Sequence, residues 1–145
     1  MSVRLSGPAR RTRGLSRARL LRFANELLEA LGEGNAELSV ALVDDATGAE
    51  LNRRFRRRGG PTDVLAFALA EGAHAHHRGA LLGDVVIALG VARRQAAERG
   101  HDLEAECRRL LVHGVLHLLG YDHARPDEAR EMRAKERALW RRLSG

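Results

Sequence analysis

Apolar residues first recur at helical spacing over residues 16–31, where Leu20, Phe23, Leu27, Leu28 and Leu31 share one stripe between Ser16, at an N-cap position, and Gly32, at a stop. This predicts a surface helix that buries one face. Leu38 to Val43 alternates and then meets Asp44-Asp45, the pattern of a strand that ends at the cap of a helix over 46–57. Two runs, 62–69 and 81–89, are apolar, partly β-branched and bounded by turn residues, which predicts a hairpin-like pair of strands with a loop over 70–80. A short helix follows at 90–99. Residues 103–119 are apolar nearly all round, so the helix they form should be buried. Pro126 then stands at a helix-start position before a last helix from Asp127 to about Leu143. With no internal repeat and no break in composition, the expected architecture is α+β. One domain over 1–145 packs a small mixed sheet against helices, and residues 1–15 form a flexible basic arm.

Composition narrows the class. A chain of 145 residues suffices for one core without staples. The single cysteine, Cys107, excludes an internal disulfide and favours a reducing, cytoplasmic setting; its place in the apolar run makes it a small core residue rather than a ligand. The N-terminus lacks the apolar core of a secretory signal, and no run approaches the ~20 apolar residues of a membrane span, so no membrane partner is expected. The net charge of +6 is unevenly placed. Arg4, Arg10, Arg11, Arg13, Arg17, Arg19 and Arg22 all precede the first acidic residue, Glu26, and a second cluster holds Arg53, Arg54, Arg56, Arg57 and Arg58. Such clusters suit a polyanion such as RNA, or else a solvated face. Five aromatic residues in all argue against a base-stacking platform.

The chemistry concentrates in His113-Gly114-Val115-Leu116-His117-Leu118-Leu119-Gly120-Tyr121-Asp122-His123. On a helix His113 and His117 are i and i+4 and project from one face; Gly120 ends the helix, and the turn after it can return His123 to the same point. Two imidazoles on an apolar helix are costly unless their nitrogens find partners, and one metal ion satisfies both. Three protein ligands leave a tetrahedral ion with an open position, the catalytic rather than the structural pattern, which argues against an RNA-binding factor with a structural zinc. The His-x-x-x-His-x-x-Gly-x-x-His spacing also occurs in metzincin proteases, but those require a glutamate after the first histidine, where this chain has Gly114. His74, His76 and His77 lie in the 70–80 loop, without a scaffold to fix them, and read as solvated. Asp122 either orients a ligand imidazole or caps the turn, and Asp63 and Asp84, at strand starts, suit turn or cap roles as well as catalysis.

The run HGVLHLLGYDH resembles the signature of the YbeY family of bacterial endoribonucleases, His-Gly-x-Leu-His-Leu-x-Gly-Tyr-Asp-His, at every specified position. Leu51-Asn52, Phe55-Arg56 and Pro61-Thr62-Asp63-Val64-Leu65 resemble its second motif and Leu82-Gly83-Asp84 its third. Where the family continues Val-Leu-Ser-Phe-Pro, this chain has Val64-Leu65-Ala66-Phe67-Ala68, which leaves the histidines untouched. The resemblance implies a metal-dependent, single-strand-specific endoribonuclease with one zinc per chain. It implies action in ribosomal RNA maturation, chiefly at the small-subunit 3′ end, and in ribosome quality control, with the ribosome or its proteins as partners. It also implies that Arg56, matching the arginine of the Asn-x-x-aromatic-Arg motif, neutralises charge on the phosphate, while Arg53, Arg54, Arg57 and Arg58 attract RNA.

Overall fold

The computed structural model describes residues 2–7, 12–55, 64–68, 81–121 and 125–144. The strands are β1 (Ser2–Ser6), β2 (Glu37–Val43), β3 (Val64–Ala68) and β4 (Leu81–Ala88). The helices are α1 (Arg17–Ala30), α2 (Asp45–Phe55), α3 (Leu89–Arg99), α4 (Leu103–Leu118) and α5 (Pro126–Ser144). The sheet runs β1-β2-β4-β3, with β1, β2 and β4 parallel and β3 antiparallel to β4, so the expected mixed sheet and its hairpin-like pair are both present. Among the described residues no helix is long and apolar enough to cross a membrane. The 70–80 loop with its three histidines, Asp63 and the end of the 46–57 helix lie outside the described residues.

The N-terminal residues depart from the expected basic arm. Ser2–Ser6 pair with Glu37–Ala41 as an edge strand, and Val3 and Leu5 pack against the core. Two arginines of the basic cluster that begins in this segment are engaged from α1: Arg17 donates to the Leu5 carbonyl, and Arg19 binds the carboxylate of Glu104. A strand of five residues gains its stability from main-chain pairing and two apolar contacts, which outweigh the charge at Arg4.

β2 alternates as its sequence does, burying Leu38, Val40 and Leu42, whereas β4, flanked on both sides, buries Val85, Val86, Ile87 and Ala88 without interruption. Val85 and Ile87 join the main cluster with α1 and α4; Val86 and Ala88 point to the opposite face, toward α2. Asp84 sits inside β4, opposite Ser39 and Phe67, and so serves neither as a turn nor as a cap. The helix starts follow the expected chemistry. Ser16 Oγ accepts from the Arg19 amide and Asp44 Oδ1 from the Thr47 amide at 2.7 Å. That bond holds the Asp44 carboxyl below its ordinary range. α3 has no cap of its own. Asp45 supplies one from α2, accepting from the Val91 amide and binding Arg94, and a Cβ on Gly90 would collide with that carboxylate.

α4 is buried as expected, and Cys107 within it is fully enclosed, its thiol pushed up to about 12 by burial. Glu106 is the exception to its apolar surface: the residue is 0% exposed, yet ionised. Burial pushes its carboxyl up, but bonds from Arg109 and His101 and the charges of Arg109 and Arg99 outweigh that, and the net direction is down. Arg109 reaches it at 2.6 Å and His101 at 2.6 Å. Glu106→Ala should destabilise the fold by the lower part of the ~3–5 kcal/mol that one-sided removal of a buried ion pair costs. Arg109 keeps 28% of its side chain exposed and recovers some hydration. Urea unfolding at neutral pH measures this, and a loss under ~1 kcal/mol would contradict the ionised assignment. Because the folded pKa lies below the ordinary value of 4.5, the stabilisation is whole above that value and disappears as pH falls through the folded one.

Candidate functional site

The two described histidines of the signature lie near the C-terminal end of α4, with ring centroids 4.9 Å apart and planes at 71°. The i, i+4 spacing puts them on one face, and both are half-buried. The helix ends as its sequence predicts. Gly120 has φ +101°, its amide donates to the His117 carbonyl, and the Tyr121 amide reaches back to the Leu116 carbonyl at 3.0 Å. A side chain at Gly120 would strain this left-handed turn, which bends the chain back past the end of α4. His123 and Asp122, the next residues of the motif, lie outside the described residues. Among the described residues no set of three metal-binding side chains is complete.

A residue that sequence reasoning passed over completes the described part of the site. Glu136 of α5 lies 2.9 Å from His113 Nδ1 through Oε2, with the two side chains 24% and 28% exposed. Glu136 follows the buried Met132 by four residues and precedes the buried Leu139 by three, so it stands on the inward stripe of α5. That placement was the available signal: a glutamate at a core position of an amphipathic helix needs a partner. A carboxylate only accepts, so His113 Nδ1 is the donor in this bond, and in the neutral ring Nε2 then bears the lone pair. The pair fits a zinc-like ion. With nitrogen–metal distances near 2.0–2.1 Å and a tetrahedral angle, two ligand rings have centroids about 5 Å apart, close to what is observed.

Arg53 and Arg54 are exposed at the end of α2, where Arg53 pairs with Glu50. Arg56, Arg57 and Arg58 lie outside the described residues. Asn52, which belongs to the same motif, is buried at 6% exposure. Gly114, at the position where a metzincin carries its catalytic glutamate, is buried in α4.

Comparison with known proteins decides the family. The sequence profile described as Endoribonuclease YbeY matches residues 10–144. The chain belongs to the YbeY family. An Endoribonuclease YbeY of Pelotomaculum thermopropionicum is 50% identical over 128 residues, covering 86% of this chain and 84% of the relative. One from Aquifex aeolicus is 43% identical over 133 residues, covering 91% and 87%. A similar fold is also seen in a Thermotoga maritima protein solved in solution, with a TM-score of 0.57 and 27% identity over 95% of this chain and 89% of that one.

Proposed function

We propose that this chain is a zinc-dependent, single-strand-specific endoribonuclease that matures ribosomal RNA at the small-subunit 3′ end, holding one zinc with His113, His117 and His123. Its coarser part, hydrolysis of RNA by an endoribonuclease of ribosomal RNA processing, follows from membership of the YbeY family. The observation that carries the finer part is the His113–Glu136 bond beside His117, because a protonated Nδ1 held by a carboxylate presents Nε2 as a donor, the usual arrangement behind a metal-bound imidazole.

Held by His113, His117 and His123, a zinc ion would supply a Lewis acid for a phosphoryl oxygen or would lower the pKa of water toward 7. The chain's own residues do the rest. Glu136 fixes the tautomer and angle of His113, Arg56 offers its planar guanidinium to charge building on the phosphate, and Arg53, Arg54, Arg57 and Arg58 raise the local concentration of RNA. Asp122 is proposed to support a ligand imidazole or the turn that carries His123. Cytoplasmic residence beside the ribosome is the setting this substrate requires.

Incubation of the purified chain with a short single-stranded RNA, its duplexed form, and each with a chelator tests the reading. Cleavage of the single strand alone, abolished by chelator and restored by zinc, is expected; undiminished cleavage in chelator would contradict it. A second outcome concerns Glu136. Glu136→Ala should weaken zinc binding by about 10–100-fold in competition with a chromogenic chelator, and Glu136→Gln by less, since an amide oxygen still accepts from Nδ1. Equal zinc affinity in the parent and Glu136→Ala would remove the carboxylate from the site.

A further inference from the structure

A cleft of about 450 Å³ opens between α4 and α5, one helical turn from His113. Its floor holds Val112, 3% exposed, and Trp140, half-buried, and Glu136 stands between this cleft and the His113 ring it binds. Around the floor lies positive charge. Arg109 is oriented by the buried Glu106 carboxylate, while Arg133, Arg137 and Arg141 follow one another at four-residue spacing along the exposed side of α5, about 6 Å apart along its axis. Among the described residues none of these last three makes an ion pair, and all three are exposed.

We propose that this cleft is a nucleotide subsite for the RNA strand that reaches the histidine pair, in which a base stacks on Trp140 and the flanking phosphates meet Arg133, Arg137 and Arg141. An apolar floor with a planar aromatic wall suits the face of a base of any identity, and a guanidinium rim suits its phosphates. An acidic protein segment would satisfy the rim but gain little from the floor. The inference rests on RNA cleavage at the neighbouring site. It assigns one stacking position, which the scarcity of aromatic residues allows even though it rules out a multi-base platform.

Trp140 is the chain's only tryptophan, so its fluorescence reports the cleft directly. The zinc-loaded full chain is mixed rapidly with a dye-labelled single-stranded RNA, and tryptophan fluorescence is followed alongside RNA anisotropy. Quenching with the same midpoint as the anisotropy change, absent for an abasic strand that still binds, supports the subsite. Arg133→Ala/Arg137→Ala should flatten the dependence of log K on log[salt] by about 1.4 units, since each single-strand phosphate contact contributes about 0.7. Zinc affinity measured on the same variant should be unchanged, which separates lost contacts from lost fold. If anisotropy saturates while tryptophan fluorescence stays constant and the double variant keeps the parent's salt slope, RNA binds elsewhere and the subsite is overturned, although RNA binding itself stands. No anisotropy change would remove both. A glutamate-rich peptide that quenches Trp140 without displacing bound RNA would also overturn the assignment, in favour of a protein partner.

Discussion

Helix α4 is enclosed by the sheet and by α1, α3 and α5, and its carboxylates and His113 are each met by a group from another turn or another element, whereas the buried Arg108 Nε finds no hydrogen-bond partner among the described residues. Glu104 is met by Arg19, by the Ser16 amide and by Arg108; its burial favours the neutral acid, but those partners hold its carboxyl below the ordinary range. Glu106 is met by Arg109, His101 and Arg99. His113 is met by Glu136. Each contact pins a neighbour: Glu104 fixes the start of α1, Glu106 fixes the turn between α3 and α4, and Glu136 fixes the register of α5. Removing one member leaves the other unsatisfied in a poorly hydrated place, which is why these contacts act as fasteners although a buried ion pair adds little net stability over an apolar replacement.

The same rule connects packing to chemistry. A helix enclosed this tightly holds its histidines to a narrow range of positions, and Glu136 removes the choice of tautomer at His113, so the donor nitrogen is oriented before any ion arrives. The ion pair of Glu106 and Arg109 spans the two turns before His113, and Arg109 lines the cleft with Trp140. The structural charge pairs of α4 thus stand beside the proposed RNA contacts of α5, across the cleft that the two helices form. Some of the arginines that gave the chain its basic character are spent in this way: Arg19, Arg94, Arg108 and Arg109 all face carboxylates. The cationic surface of α5 is not, among the described residues.

Much of this was legible from the sequence. The stripe of α1, the alternation of β2, the encircling apolar surface of α4 and the stop at Gly120 are local patterns, and the elements follow them to within two residues where they are described. β1 was missed although Ser2–Ser6 alternates polar and apolar, because only Val3 and Leu5 carry that pattern beside an arginine-rich segment, and the strand is completed by pairing with β2 thirty-five residues away. Glu136 was missed as a site residue although its spacing from Met132 and Leu139 marks the inward stripe of α5, because charged residues surround it and its partner His113 lies on another helix. Trp140 was counted as one of five aromatics, whereas its value lies in the arginines that the helix period sets beside it. The imidazole pair at 113 and 117 needed only the helical repeat, and it emerged as read.

The central claim is that the buried helix presents imidazole nitrogens, and no sulfur, to one zinc ion. X-ray absorption at the zinc edge of the loaded chain tests this most directly, because zinc–nitrogen distances near 2.0–2.1 Å and zinc–sulfur distances near 2.3 Å are readily separated. The account predicts a first shell of nitrogen and oxygen only, with the outer-shell scattering of about three imidazole rings. A sulfur scatterer, which only Cys107, Met1 or Met132 could provide, or a shell of oxygens without imidazole, would contradict it.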